Sequence, residues 1–375
     1  MARVKITSVV QLFPDRFQHA ALLHTLERSN QACNRISEIA WECRTFRQYD
    51  LHKLLYAKIR QQTGLTAQVV VRCIAKVADA YELDRDTLRI FRPHGALAYD
   101  DRILHWYTEH GFVSIWTTAG RMMISYQAGE RQLHQLQFRQ GETDLIYRKG
   151  KFYLAATCEI PVPEPVEFEA VLGVDLGIIN LATDSDGNTY SGKKVDRARK
   201  HYSNLRARLQ KRGTKSAKRK LKRLSGKQRR FQKDTNHGIS KRIVAAAECT
   251  NRAIAVEKLT GIRSRTKVRG KEQRHRHTNW SFYQLKQYIA YKAPLGGVTL
   301  IEVDPKFTSQ RCYECGHIAK ANRRSQSEFV CCACGHTDLA DRNAALNIAW
   351  AAVNQPIVSD ALTLVSAAPG TSRLL

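Results

Sequence analysis

The sequence is short of acid. Against 61 Lys and Arg it carries 34 Asp and Glu, which leaves a net charge of +27 at pH 7 and a pI near 9.9. Such an excess points to a polyanionic partner, with nucleic acid the default and a membrane surface the rival. Long apolar runs are missing too. None reaches the ~18 residues of a membrane-spanning helix, so no membrane partner is expected. The first residues, Met1 to Asp15, lack the hydrophobic region of a signal peptide. The setting expected is therefore the cytoplasm. Thiols stay reduced there, and paired C-x-x-C motifs signify metal more than disulfide. A hydrophobic content of 43% over 375 residues excludes a wholly disordered chain and leaves room for two or three domains.

Acid is scarcest between Arg197 and Arg230, where sixteen Lys or Arg stand without one Asp or Glu. A solvated helix normally mixes signs to gain i,i+4 pairs. Leu205, Leu209, Leu221 and Leu224 argue against a disordered tail. The segment reads as a helical hairpin, breaking near Gly213, that grips a phosphate backbone. Candidate contacts are Lys211, Arg212, Lys218, Arg219, Lys220, Lys222, Arg223, Arg229 and Arg230.

Five of the ten cysteines crowd into one C-terminal stretch. Cys312-Tyr-Glu-Cys315-Gly316-His317 is echoed by Cys331-Cys332-Ala-Cys334-Gly335-His336. Each is a C-x-x-C-G knuckle. Two knuckles supply four thiolates, the set that tetrahedral zinc favours. The glycines allow the chain to turn back with positive φ. Cys312, Cys315, Cys331 and Cys334 are the expected ligands of one structural Zn²⁺. Cys332 reads as a bystander, and His317 and His336 as alternative ligands. Cys33, Cys43, Cys73, Cys158 and Cys249 are scattered and read as core residues.

Periodicity sketches the rest. Val4 to Leu12 is one strand. Helical stripes follow from Asp15, from Asp50 as a cap to a stop at Gly64, and from Thr66 as a cap through Val69, Val70, Cys73, Ile74, Val77 and Tyr81. From about Ile90 short β runs take over, with hairpins turning at Ala119-Gly120 and Lys149-Gly150. The first strand is expected to join this β domain, with the helices inserted between. Pro161, Pro163 and Pro165 mark a linker.

Three carboxylates then stand out. Asp175 ends the apolar run Val171-Leu-Gly-Val174, and Glu257 ends Ala253-Ile-Ala-Val256. Asp341 opens a helix just after the second knuckle, where it could also be merely an N-cap. An unpaired carboxylate buried in an apolar strand is costly, so each needs a partner. Asp175 and Glu257 could find one in the many basic residues. Together, acids at two strand ends and one helix start can converge on hard cations. Two such ions can activate a water and stabilise the leaving oxygen of a phosphodiester. Asp184, Asp186, Asp304 and Asp338 are nearby alternatives.

These residues carry a family resemblance. The stretches are Gly173-Val-Asp175-Leu-Gly177-Ile-Ile-Asn180, Asn236-His237-Gly-Ile-Ser240-Lys241, Val256-Glu257-Lys-Leu-Thr-Gly261-Ile, Trp280-Ser-Phe282-Tyr-Gln-Leu285, Tyr291-Lys-Ala293, Pro305-Lys-Phe-Thr308-Ser309-Gln310-Arg-Cys312, the paired knuckles, and Asp341-Arg-Asn343-Ala-Ala-Leu-Asn347. In this order they resemble TnpB (OrfB), a family of insertion-sequence proteins related to compact type V CRISPR effectors. The resemblance implies an RNA-guided DNA endonuclease with an α/β multidomain fold. Residues 166–354 would be a ribonuclease H-like (RuvC) nuclease domain that includes the basic hairpin 196–233 and an inserted zinc ribbon 307–338. Asp175, Glu257 and Asp341 would be its catalytic acids and hold Mg²⁺, two ions being expected. Residues 1–14 and 89–165 would form a β-barrel (wedge), with a helical recognition lobe 15–88 inserted, and 355–375 a mobile tail. The partners implied are a guide RNA from the transposon and a double-stranded target DNA beside a short flanking motif. The rivals are a transposase acting directly on element ends and a non-catalytic nucleic-acid-binding regulator.

Overall fold

The computed structural model describes residues 2–258 and 282–355. Gly261, Trp280 and Ser281 of the family stretches, and the expected tail beyond Gln355, lie outside the described residues. The chain forms two units, one from Lys5 to Ile160 and one from Pro161 onward that includes the first few residues. Among the described residues no helix is long and apolar enough to cross a membrane.

In the first unit, β1 (Arg3–Leu12) alternates buried Val4, Ser8, Val10 and Leu12 with outward residues. Helix α1 (Arg16–Glu42) starts in a capping box: the Asp15 carboxylate accepts from the Gln18 amide, and the Gln18 side chain accepts from the Asp15 amide. Helix α2 (Gln48–Thr63) differs from the sequence reading. Its N-cap is Arg47, and Asp50 lies inside the first turn. A carboxylate there still faces the positive end of the helix dipole, which is why the residue type looked like a cap. Gly64 ends the helix with φ 64°. Thr66 holds the N-cap position of α3 (Ala67–Leu83), but its hydroxyl makes no capping bond. Leu22, Leu26, Cys33 and Ile36 of α1 share one core with Val69, Val70, Cys73 and Ile74 of α3.

Six more strands complete the sheet of this unit: β2 (Leu97–Tyr99), β3 (Leu104–Tyr107), β4 (Phe112–Thr117), β5 (Gly120–Gln127), β6 (Arg139–Arg148) and β7 (Lys151–Pro161). A short α4 (Glu130–Leu136) lies between β5 and β6. The spatial order is β2-β6-β7-β1-β5-β4-β3. The first strand thus sits inside a sheet whose other strands all follow the three helices.

The second unit is built on a five-stranded sheet of order β10-β9-β8-β11-β12, formed by β8 (Ala170–Asp175), β9 (Asn180–Asp184), β10 (Thr189–Ser191), β11 (Arg252–Glu257) and β12 (Leu300–Val303). β11 runs parallel to β8 and β12, whereas β9 is antiparallel to β8 and β10. Alternation sorts the two faces. Leu172, Val174, Ile254 and Val256 pack on α7 (Lys227–Cys249) and α8 (Phe282–Leu295). Val171, Ala253 and Ala255 pack on Ile348, Ala351 and Ala352 of α9 (Ala340–Asn354). This second face is lined with small residues, and Gly173 lies on it. A Cβ at Gly173 would stand 2.7 Å from the Ala349 amide nitrogen and overlap the Ala345 carbonyl, so α9 rests directly on the strand backbone.

The basic segment breaks twice rather than once. Helix α5 (Lys193–Arg212) ends at Gly213, α6 (Lys215–Leu224) is followed by Gly226, and α7 begins at Lys227. Both glycines have positive φ, 63° and 81°. The sequence reading weighed Gly213 and passed over Ser225-Gly226. Of the scattered cysteines, Cys33, Cys73 and Cys158 are buried, but Cys43 and Cys249 are exposed. Both sit at helix C-termini, which surface here.

Candidate functional site

The three singled-out acids meet. Residues 171, 173 and 175 share one face of β8, and 253, 255 and 257 share one face of β11. Register pairs Val174 with Val256, which sets Asp175 and Glu257 side by side at the carboxyl ends of two parallel strands. Such strand ends are where open α/β sheets bind ligands. The face they share is the one α9 covers, and Asp341 lies in the first turn of α9. The N-cap of that helix is Leu339, so Asp341 is not a capping residue.

Glu257 and Asp341 are each held by a neighbouring side chain. Thr308 donates to Glu257 Oε1 at 2.5 Å, and Asn180 Nδ2 donates to Asp341 Oδ2 at 2.9 Å. Lys286 donates to the Glu257 carbonyl at 3.1 Å and pairs with buried Glu302 at 2.7 Å on the opposite face of the sheet. The guanidinium of Arg323 lies 3.6 Å from Asp341 Oδ1. Burial pushes the Asp175 carboxyl up to about 8, helped by the negative charges of Glu257 and Asp341 and opposed by Arg323. Burial also raises Glu257, against the Thr308 hydrogen bond and the charges of Lys286 and Arg323. Three carboxylates thus share one guanidinium. An all-oxygen donor set short of positive charge fits hard divalent cations.

The alternative acids have other occupations. Asp184 is fully buried and accepts from the amide and side chain of Asn188, closing the β9–β10 turn. Asp186 takes both arms of the Arg252 guanidinium, at 2.7 and 2.6 Å. Asp338 accepts from the Leu339 amide and pairs with Arg342. Asp304 accepts from the Lys306 amide.

The four expected sulfurs cluster, with all ligand atoms within 4.8 Å of one another. Cys312 and Cys334 Sγ are 3.7 Å apart, and Cys315 and Cys331 Sγ are 3.5 Å apart. A tetrahedron with ~2.3 Å Zn–S bonds has edges of about 3.8 Å, so the cluster fits zinc. The knuckles are near copies. Gly316 and Gly335 donate to the Cys312 and Cys331 carbonyls, with φ 75° and 74°. The Cys334 amide, 3.5 Å from the Cys331 sulfur, heads the contacts that lower that thiol to about 6. His317 and His336 do not join the sulfurs. His317 contacts Cys332 Sγ at 3.4 Å.

All nine candidate phosphate contacts are exposed: Lys211, Arg212, Lys218, Arg219, Lys220, Lys222, Arg223, Arg229 and Arg230. Among the described residues none of them has a carboxylate partner. Leu209 and Ala217 are the buried residues of α5 and α6.

Sequence reasoning assigned no role to Thr308, Arg323, Asn180, Asn343 or Asn347. Asn343 donates to the Arg311 carbonyl at 2.8 Å and accepts from the Tyr313 amide at 3.1 Å. Asn347 donates to the Thr308 and Arg311 carbonyls, at 3.1 and 2.7 Å. Two buried asparagines one helical turn apart were the available signal, since a buried amide demands partners. Arg323 had none, being one cation among several between the knuckles.

Residues 155–263 match the family described as "Probable transposase" (OrfB_IS605), and residues 282–348 match the "Cas12f1-like, TNB domain". The chain is 32% identical to the CRISPR-associated endodeoxyribonuclease Cas12f1 of Sulfoacidibacillus thermotolerans, over 54% of this chain and 50% of that one. It is 33% identical to the "Putative RNA-guided DNA endonuclease InsQ" of Escherichia coli K12, over 53% of each. It spans about half the length of these curated relatives. A solved Cas12f1–sgRNA–target DNA complex shares the fold, with a TM-score of 0.62 at 15% identity over 90% of this chain and 83% of that one. The chain resembles the TnpB (OrfB) family and its compact CRISPR-associated relatives.

Proposed function

We propose that this chain is an RNA-guided DNA endonuclease of a transposable element, cutting double-stranded DNA beside a short flanking motif. The observation that carries the reading is the convergence of Asp175, Glu257 and Asp341 around Arg323. Residues 166–354 would form a RuvC-like nuclease domain, and Asp175, Glu257 and Asp341 would hold two Mg²⁺. Bound there, magnesium supplies an activated water and charge stabilisation for the leaving oxygen. Thr308 and Asn180 fix the rotamers of Glu257 and Asp341. Arg323 offers a guanidinium to the scissile phosphate, with the planar fork that suits phosphate oxygens. Cys312, Cys315, Cys331 and Cys334 would hold one structural Zn²⁺, and a reducing cytoplasm suits those thiolates.

The basic helices would hold nucleic-acid backbone. Residues 1–14 and 89–165 would act as a wedge and 15–88 as a recognition lobe. Guide RNA would read the target by pairing, and the protein would read only the flank. A net charge of +27 suits a chain wrapped around a long polyanion. The test is to purify the chain, sequence the RNA that comes with it, and exchange the guide end of that RNA. Cleavage should move to a new target beside the same motif, and should need RNA, matching target and Mg²⁺ together. Specific cutting without RNA would replace this reading by a transposase acting on element ends. Binding with no cleavage under any of these conditions would leave a regulator.

A further inference from the structure

Four described residues other than glycine adopt a left-handed backbone: Arg44, Lys149, Asn251 and Phe307. Lys149 sits in a tight hairpin turn with Gly150, and asparagine tolerates this region well. Phe307, at φ 65°, is the bulky one. An aromatic residue there is an outlier that its surroundings must hold in place. The turn itself has a clear purpose. The Phe307 carbonyl accepts from the Gln310 and Arg311 amides, both at 2.9 Å, and starts the approach to Cys312. Glycine or asparagine would make that turn without strain. Core packing does not explain the ring either, since Phe307 is 43% exposed and belongs to none of the apolar clusters of its unit.

Its neighbours suggest what the ring is for. The Lys306 ammonium lies 5.2 Å from the ring centroid. The Lys306 amide is tied to Asp304 Oδ1 at 2.9 Å, which stiffens the segment. The next residue, Thr308, grips Glu257 at 2.5 Å. An exposed aromatic ring, with a cation over one face and the other left for a base, therefore lies one residue, about 3.8 Å of backbone, from the side chain that holds a candidate catalytic acid. An aromatic face for the base and a cation for the phosphate are the elements of single-strand recognition. A base in a duplex is already stacked and cannot use the ring.

We infer that Phe307, with Lys306, is a stacking platform for one unpaired nucleobase of the DNA strand entering the three-acid site, and so sets which phosphodiester reaches the acids. This rests on the nuclease reading above. Phe307 is a positioning residue in that role.

The test uses the full chain, short single-stranded DNA, and Ca²⁺ in place of Mg²⁺ so that binding is read without cutting. One abasic site is walked along the oligonucleotide. The wild type should show a position where the missing base weakens binding about 5- to 160-fold, the range of one base–aromatic stack. Phe307→Gly should weaken binding of the intact strand by a similar factor and no longer sense that abasic site. Phe307→Trp should keep both properties. Zinc content and melting temperature should not fall in Phe307→Gly, because glycine suits the backbone. The platform is overturned if Phe307→Gly binds every oligonucleotide as the wild type does, or still senses the same site. Equal masking with RNA of the same sequence would overturn the assignment to the DNA strand. Cleavage is then measured in Mg²⁺, with the copurified RNA and a matching double-stranded target present. If the wild type cuts nothing while the masking persists, the nuclease reading fails and the platform stands. If the wild type cuts and the glycine variant matches it in binding and cut position, the platform alone fails.

Discussion

Magnesium loading should expel a proton, and Asp175 should be its source. Its carboxyl stands at about 8 in the metal-free fold, so about nine-tenths of it is protonated at pH 7. A cation binds the carboxylate form, so loading must release what the acid holds. The expected release is about 0.9 proton per chain at pH 7, about 0.5 at pH 8 and about 0.1 at pH 9. Glu257 is raised in the same direction and can only add to the count. Isothermal titration of Mg²⁺ into zinc-loaded, magnesium-free protein, in two buffers of different ionisation enthalpy, gives the number directly.

The sign for stability follows. A folded-state value above the usual 3.8 means that between about 4 and 8 the fold holds a proton the unfolded chain has lost. Metal-free stability must therefore fall as pH rises through that window, by at most about 6 kcal/mol at 1.36 kcal/mol per unit. Asp175→Asn should remove the Asp175 share of both the release and the slope, leaving only what Glu257 adds. No proton release at pH 7 would refute the argument, and undiminished release in Asp175→Asn would assign it to another acid.

Gly173→Ala should push α9 off β8, because the added Cβ meets helix backbone that cannot rotate away. A loss of about 3 kcal/mol or more is expected by chemical denaturation, with Mg²⁺ affinity falling although no acid has changed. Cys315→Ser should lower zinc below one per chain by elemental analysis and weaken Mg²⁺ binding in the same preparation. Replacing Lys218, Arg219, Lys220 and Lys222 by Gln should flatten the slope of log K against log salt by up to about 3 units, with little dependence on sequence. An unchanged slope would mean that these residues only solubilise the helices.

Much of this was legible because it follows local rules. The paired knuckles are spelled out residue by residue, and a strand ending in one acid is visible to any reader of alternation. The face on which each acid emerges was legible too, since Asp175 has the parity of Val171, and Glu257 that of Ala253. What could not be read was whatever depends on contacts distant in sequence. Asp50 looked like a cap because its chemistry is right for a helix start, but only the fold decides where the first turn lies. Gly226 broke the basic segment without proline or aspartate to announce it. Arg323 reaches Asp341 from between the knuckles, and no spacing foretells which of several cations there will turn inward.

The ribbon and the acid site are best understood as a single object. Asn343 and Asn347 belong to the helix that carries Asp341, and both are buried with their amides bonded to the Thr308 and Arg311 carbonyls at the entry to the first knuckle. Arg311 lays its guanidinium 3.6 Å above the Trp350 ring on the same helix. Thr308 in turn holds Glu257, and Arg323 leaves the ribbon to meet Asp341. Zinc held by the four thiolates would fold the ribbon, because among the described residues its apolar core is only Cys312, Phe329, Cys331 and Ala340. Losing that fold would release Thr308 from one acid and Arg323 from another. Two binding events that share a folded element are linked, and the linkage is reciprocal. Whatever factor zinc added to magnesium affinity, magnesium would have to add to zinc affinity, which would make the ribbon part of the proposed nuclease chemistry without touching a phosphate.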